Sequence, residues 1–188
     1  MIIGFGNKAR HGKDTAADAL VEFYQTQRAL AQAHLRTTKV PNIKKVNFAD
    51  ALKREVTEAI KLCGSVEKLL YVGTDDGVSV PSWVTPDVNP PMTDPLCPLG
   101  KHAKLLQWWG TDYRRRQDSD YWVDKWQEQI ETFKGIIVTS DVRFQNEANV
   151  IKTSKGYTVN VTRLQKDGRP YVDPSRDQYH ESETRLDT

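Results

Sequence analysis

Gly12-Lys13-Asp14-Thr15 stands between a short apolar run, Ile2 to Phe5, and a helical pattern that opens at Lys13. Residues of these types in this order can hold phosphate. Small residues let successive backbone N–H groups curl around an anion, and the N-terminus of the following helix adds partial positive charge. Lys13 supplies a full charge with the reach to touch the outer phosphates of a nucleotide, and Thr15 offers a hydroxyl to a phosphate or to magnesium-bound water. Counted against the pattern G-x-x-x-x-G-K-[ST], Asn7 occupies the first glycine position and Asp14 follows the lysine in place of Ser or Thr. Asn tolerates positive φ at modest cost, and Gly4 and Gly6 lie just upstream. Asn7 and Arg10 join Gly12 to Thr15 as expected nucleotide contacts. The competing reading is a glycine-rich strand-to-helix turn that binds nothing.

A second set of polar residues follows the apolar run Ile136 to Ser140. If that run is a strand of a parallel sheet, Asp141 and Arg143 lie past its carboxyl end, where such sheets bind ligands. A carboxylate there can hold magnesium, directly or through water, and an arginine two residues on can neutralise a phosphoryl group in transfer. Asp141 has a plainer alternative as the N-cap of the next helix. Phosphoryl transfer demands positioning and charge neutralisation above all, so several arginines are expected at the site; Arg114, Arg143, Arg163 and Arg169 are the candidates.

These residues need a scaffold. Apolar spacing predicts a first helix from Lys13 to about His34, with Ala16, Leu20 and Tyr24 on one face. Lys44 to Phe48 reads as a short strand, and Leu52, Val56, Ile60 and Cys63 mark a second helix ending before Gly64. From Ser65 to about Gly100 no period is sustained, and six of the nine prolines fall there, so this stretch reads as an excursion that closes over a ligand. Helical spacing returns at Leu105 to Trp109 and again from Trp122 to Phe133. Trp108 and Trp109 diverge by about 100° on an α-helix, which places one in the core and one at a pocket rim. Ile136 to Ser140, a helix carrying Phe144, Ala148 and Ile151, and Tyr157 to Val161 then form a strand, helix and strand, implying a parallel sheet. Residues 164 to 188 are polar and without period.

A chain of 188 residues suits one domain, and 38% hydrophobic with 28% charged residues is ordinary for a globular protein. The net charge of +2 argues for no nucleic-acid surface. Cys63 and Cys97 form neither a C-x-x-C pair nor a disulfide framework, so a reducing cytoplasm is the expected compartment. No apolar run reaches the roughly 20 residues needed to span a bilayer, and Met1 reads as a start without a signal peptide.

Taken together, NKARHGKDTAAD, NFADALKRE, LLQWWGTDYRR, SDVRFQNEA and the tail HESET resemble the bacteriophage deoxynucleoside monophosphate kinases, within the adenylate-kinase-like P-loop group. The resemblance covers most of the chain, from Ile2 to about Thr184. It implies a three-layer P-loop fold with a mostly parallel sheet, an insert at 65–103 over the monophosphate site and a lid-like tail at 164–188. It implies transfer of the γ-phosphate of ATP to a deoxynucleoside monophosphate with Mg2+, in the cytoplasm of an infected host. Gly12, Lys13, Asp14 and Thr15 would hold ATP, helped by Arg163. Lys13, Asp141, Arg143 and Arg114 would serve catalysis, with Asp141 and Thr15 on the metal. Phe48, Ala49 and Lys53 would line the monophosphate side, and Gln107, Gly110, Thr111 and Arg114 would complete it, with the Gln107 amide reading the base. In such kinases the His180, Ser182, Glu183 motif precedes a further strand and helix, whereas this sequence stops at Thr188.

Plainer readings stand beside these. Phe48 also fits a core position, Lys53 a solvated helix face, and Arg114, Arg115 and Arg116 cannot all point one way. Other acceptors, such as dephospho-coenzyme A or a ribonucleoside monophosphate, need the same kit. A non-catalytic nucleotide- or nucleic-acid-binding protein is the rival from another class. The expected partner is a small molecule and not a membrane or nucleic acid, and a homodimer is allowed.

Overall fold

The computed structural model describes residues 1–6, 10–33 and 40–172. Asn7, and the tail residues His180, Ser182 and Glu183, lie outside the described residues.

Among the described residues the architecture is α/β, with a four-stranded, all-parallel sheet. Its strands β1 (Ile2–Gly6), β2 (Ile43–Lys45), β3 (Ile136–Val142) and β4 (Tyr157–Asn160) lie in the order β2-β3-β1-β4. Ile2 pairs with Ile137 and Gly6 with Val142 across the central pair, with an irregularity between Gly4 and Gly6. β3 opens on the apolar run Ile136 to Val138 and is buried along nearly its whole length, as a strand covered on both faces requires. β4, at the edge, is exposed along its length.

Helix α1 (Lys13–Ala33) carries the chain from β1 past β3 to β2, and α7 (Gln145–Thr153) carries it from β3 past β1 to β4. The two helices cover opposite faces. Ile3, Phe5, Ile136 and Val138 pack with Ala16, Ala17 and Leu20 of α1. Gly4, alternating with Ile3 and Phe5, faces α7: a Cβ there would come 2.5 Å from Ile151 Cδ1. Only glycine lets that helix approach so closely. The extended chain beyond β2 does not reach Phe48 as a strand. Val46 still donates to the Val138 carbonyl (2.9 Å), its own carbonyl takes the Trp126 indole N–H (2.9 Å), and the ladder ends there.

The contacts within the chain gather into two compact units, Met1–Phe48 with Trp126–Thr188, and Ala49–Lys125. The second unit is helical: α2 (Ala49–Cys63), α3 (Val66–Val72), α4 (Ala103–Gln107), a π-helical stretch Trp108–Arg114 and α5 (Arg115–Gln117), with α6 (Tyr121–Ile130) beginning in it. Its core joins Val56, Ile60, Leu69, Leu105, Trp108, Trp109, Tyr113 and Trp122.

Two sequence expectations are corrected here. Ser65 to Gly100 is not free of regular structure: Ser65 caps α3 by accepting from Lys68 N–H (3.2 Å), and Gly73 closes it at φ 87°. Seven residues are too few to set up a visible period. The tryptophan pair does not split between core and rim. Both indoles are buried, T-shaped at 5.9 Å, because the core of the second unit packs around this π-helical segment on more than one side, with Val56, Ile60, Leu69 and Trp122 among its members.

Candidate functional site

Because β1 and β3 are neighbours whose connections leave in opposite directions, the chain's winding reverses between them. A crevice outside the carboxyl ends of such a pair is where open α/β sheets take ligands. The segment after β1 and the segment after β3 therefore define the candidate site, and both belong to the first unit.

In the segment after β1, Gly12 sits at φ 89°, with open space around a hypothetical Cβ, so glycine is needed for its backbone and not for room. Arg10 also takes positive φ (58°), which costs a non-glycine residue on the order of 1 kcal/mol. The tolerance of Asn7 for positive φ falls outside the described residues; among those described in this segment, Arg10 and Gly12 take that conformation. α1 then starts at Lys13, with its first closed turn marked by Ala16 N–H to the Gly12 carbonyl (3.0 Å). The Lys13 side chain is packed away, with the residue only 6% exposed, while Asp14 and Thr15 face solvent.

Asp14 ties this turn to β3. Ser140 Oγ donates to Asp14 Oδ1 at 2.5 Å, and Lys45 Nζ reaches the same oxygen at 3.2 Å and Asp18 Oδ1 at 2.7 Å. Asn47 Oδ1 accepts from Ser140 N–H (2.9 Å) and lies 3.1 Å from its hydroxyl. Burial raises the Asp14 pKa, yet hydrogen bonds from Ser140 and Lys45 and the charges of Lys45 and Lys13 outweigh it and hold the carboxyl below its ordinary value. Asp14 stays an anion at the mouth of the crevice.

Asp141 lies within β3, and Phe144 occupies the N-cap position of α7, so the capping alternative for Asp141 falls away. Asp141 Oδ1 accepts from the Phe48 backbone N–H (3.0 Å) and from Thr139 Oγ1 (2.9 Å). The carboxylate thus fastens the chain after β2 to the end of β3. Phe48 itself is 2% exposed and stacks on Trp126 at 4.5 Å; its ring belongs to the core. The buried Glu147 accepts from the backbone N–H groups of Arg143 (2.7 Å) and Phe144 (3.0 Å) through one oxygen. That is the reciprocal half of a capping box, and it holds the Arg143 backbone against α7.

Farther along, Arg163 rests its guanidinium 4.6 Å over the Tyr171 ring, and Arg169 pairs with Asp167 (2.8 Å) inside an exposed turn.

The second unit carries the other candidates. Lys53 is no solvated face residue: its Nζ lies 3.0 Å from Asp94 and 3.9 Å from Asp50, mostly buried. One turn on, Thr57 donates to the Leu96 carbonyl (2.9 Å), so two residues of α2 tie down the 94–97 turn. Ala49 opens α2, Gln107 is exposed and Thr111 half-buried. Gly110 lies in the π-helical stretch against Leu52, and its carbonyl accepts the Trp122 indole N–H (2.9 Å). Arg114 donates its Nε–H to Glu55 at 2.6 Å and lies 4.5 Å over the Tyr113 ring. Glu55 also accepts from Trp109 Nε1 and Tyr121 Oη, each at 2.8 Å. Arg116 pairs instead with Asp112, and Arg115 with the Ser119 carbonyl, so the three arginines diverge as expected.

The donor atoms at the crevice are oxygens: the Asp14 and Asp141 carboxylates and the Thr15 and Ser140 hydroxyls. Among the described residues no three His, Cys, Asp or Glu side chains converge to hold a metal. That set fits Mg2+ coordinated mainly by substrate phosphates and water, which asks one or two carboxylates of the protein. Sequence reasoning missed Lys45, Asn47, Ser140, Glu147 and Glu55. Lys45, Asn47, Ser140 and Glu55 act through partners far off in the chain, which no local pattern announces, whereas Glu147 acts on the backbone of Arg143 and Phe144 within its own helix start.

No helix among the described residues is long and apolar enough to cross a membrane. No protein-family model matches the chain, and no curated protein matches it significantly.

Proposed function

We propose that this chain is a P-loop phosphotransferase that moves the γ-phosphate of ATP to a deoxynucleoside monophosphate, yielding ADP and the deoxynucleoside diphosphate. The observation that carries the reading is the coincidence of two independent features. The winding of the sheet reverses between β1 and β3, and the residues that follow these two strands, Gly12-Lys13 after β1 and Asp141 to Arg143 at the end of β3, are of the types phosphoryl transfer asks for.

In this reading the backbone of Gly12 to Thr15 cradles the ATP phosphates at the start of α1, with Asn7 and Arg10 beside them. Lys13 neutralises the β- and γ-phosphate oxygens. A phosphate oxygen of the acceptor attacks the γ-phosphorus, the bond to the β-phosphate oxygen breaks, and ADP leaves with that electron pair. Arg143 offsets the charge on the phosphoryl group in flight. Thr15, and Asp141 through water, would hold Mg2+, which supplies further charge neutralisation when bound. Ser140 and Lys45 hold Asp14 in place. By the family resemblance, Arg163 would contact the nucleotide, and Ala49, Lys53, Gln107, Gly110, Thr111 and Arg114 would serve the acceptor, Arg114 in the orientation that Glu55 gives it.

The test is ADP release from magnesium-ATP with each of the four deoxynucleoside monophosphates, their ribo counterparts and dephospho-coenzyme A, beside a control without acceptor. ADP that depends on a deoxynucleoside monophosphate supports the reading. Turnover with dephospho-coenzyme A alone reassigns the acceptor, and ATP binding without turnover on any acceptor overturns the enzyme.

A further inference from the structure

His11, immediately before the Gly12-Lys13 turn, is 4% exposed and uses both ring nitrogens on one distant segment. Its Nδ1 accepts the backbone N–H of Arg163 (3.3 Å), and its Nε2 lies 2.9 Å from the Tyr171 carbonyl. A donor facing Nδ1 and an acceptor facing Nε2 are satisfied together only by neutral imidazole with its proton on Nε2. The segment between those two contacts is a self-closed strap. Tyr171 N–H bonds the Arg163 carbonyl (2.8 Å), Gln165 N–H bonds the Arg169 carbonyl (2.8 Å), and Leu164 bridges Pro170 antiparallel. His11 therefore grips the strap at its open end, where Arg163 and Tyr171 face each other. The Tyr171 ring that underlies the Arg163 guanidinium also meets the imidazole edge-on at 6.4 Å.

We infer that His11 is a positioning residue that docks the 161–172 strap on the Gly12-Lys13 turn, so that the placement of the Arg163 cation and the binding of polyphosphate at that turn are coupled. The coupling rests on the nucleotide reading proposed above; the docking does not. An imidazole one residue from the phosphate-cradling backbone transmits any shift of that backbone to the strap through two hydrogen bonds. A strap held in place by those bonds in turn keeps the turn preorganised for the anion.

The experiment compares wild type with His11→Phe, which fills the same space without hydrogen bonds, and His11→Gln, whose amide nitrogen can reach the Tyr171 carbonyl. Two quantities are read on the full chain. One is the rate of tryptic cleavage after Arg163 or Lys166; the other is calorimetric affinity for inorganic tripolyphosphate. Loss of both bonds in His11→Phe is expected to speed strap cleavage about tenfold and weaken tripolyphosphate about as much, with His11→Gln recovering most of each. Equal cleavage in wild type and His11→Phe overturns the docking, since packing alone then suffices. Faster cleavage with unchanged tripolyphosphate affinity overturns the coupling. A wild-type chain that does not bind tripolyphosphate overturns the nucleotide reading and the coupling with it, while cleavage still decides the docking. Should His11→Phe lose its circular dichroism melt, His11→Gln against His11→Asn decides in its place. Gln is expected to protect the strap better than Asn, because the Nε2 contact is the shorter one; the reverse order overturns the docking.

Discussion

Ser140 donates its hydroxyl to Asp14 across 2.5 Å and 126 residues of sequence. The bond joins the end of β3 to the start of α1 at the point where the winding of the sheet reverses. Lys45 reaches the same carboxylate oxygen from the end of β2, so three chain segments share one anion.

That anion makes stability depend on pH in a known direction. Asp14 has its pKa lowered in the fold from an unfolded value of about 3.9, so its contribution is present above that value and lost as pH falls through the lower folded one. Asp14→Asn is expected to lower the melting temperature at neutral pH, with the gap to wild type closing in acid. Because the Asp14 side chain is 77% exposed, solvent screens the pair and the difference should be small. A gap that widens in acid would contradict the lowered pKa.

Lys13 requires a gentler variant than alanine, since its stem is packed and not an open loop residue. Lys13→Met keeps most of the apolar stem and removes the charge. It is expected to melt within a few degrees of wild type and to lose acceptor-dependent ADP formation by at least about 100-fold. Retained turnover in a folded Lys13→Met removes the lysine from the reaction.

The Glu55 carboxylate connects Trp109, Arg114 and Tyr121. Burial, and then the hydrogen bond to Glu55 and its charge, push the Tyr121 phenol up to about 12. In Glu55→Gln the charge is gone and burial remains, so Tyr121 should titrate lower, yet above the ordinary value near 10. Ultraviolet tyrosinate titration of the two proteins, with Tyr121→Phe to assign the signal, reads this directly. The same variant frees Arg114, and a rise in acceptor KM larger than the fall in kcat would mark Arg114 as a binding residue.

Gly4 is a packing requirement. An added methyl would lie 2.5 Å from Ile151 Cδ1 and 2.9 Å from Val142 Cγ2. Gly4→Ala is expected to cost about 1–3 kcal/mol in chemical denaturation. Ile151→Val in the same chain removes the closer clash and should restore part of the loss; no recovery would place the strain at Val142.

Much of the scaffold was legible in the chain. The β-branched run Ile136 to Thr139 of β3, the helical spacing of α1 and α2 and the Gly64 stop are local patterns, written within one or two turns of the residues they govern. α3 escaped because a helix of seven residues leaves hardly any period to read. The Trp108-Trp109 pair misled because diverging neighbours were expected to split between core and rim, whereas the segment is enclosed by its own unit's core and both indoles are buried. Arg10 carries a positive φ that nothing in its side chain announces.

By itself the sequence determined which side-chain types are on hand: a glycine and lysine at the opening of a helix, and an aspartate and arginine around the end of a buried strand. Tertiary structure alone decided who stands beside whom. The order β2-β3-β1-β4 puts Ser140 against Asp14, Asp141 under the Phe48 backbone and His11 between Arg163 and Tyr171. Those contacts span about 90 to 160 residues, and a hydrogen bond depends on a few tenths of an ångström that no local pattern encodes. Propensity and periodicity act within a turn or a strand, whereas the positions of these polar groups follow from how whole elements pack.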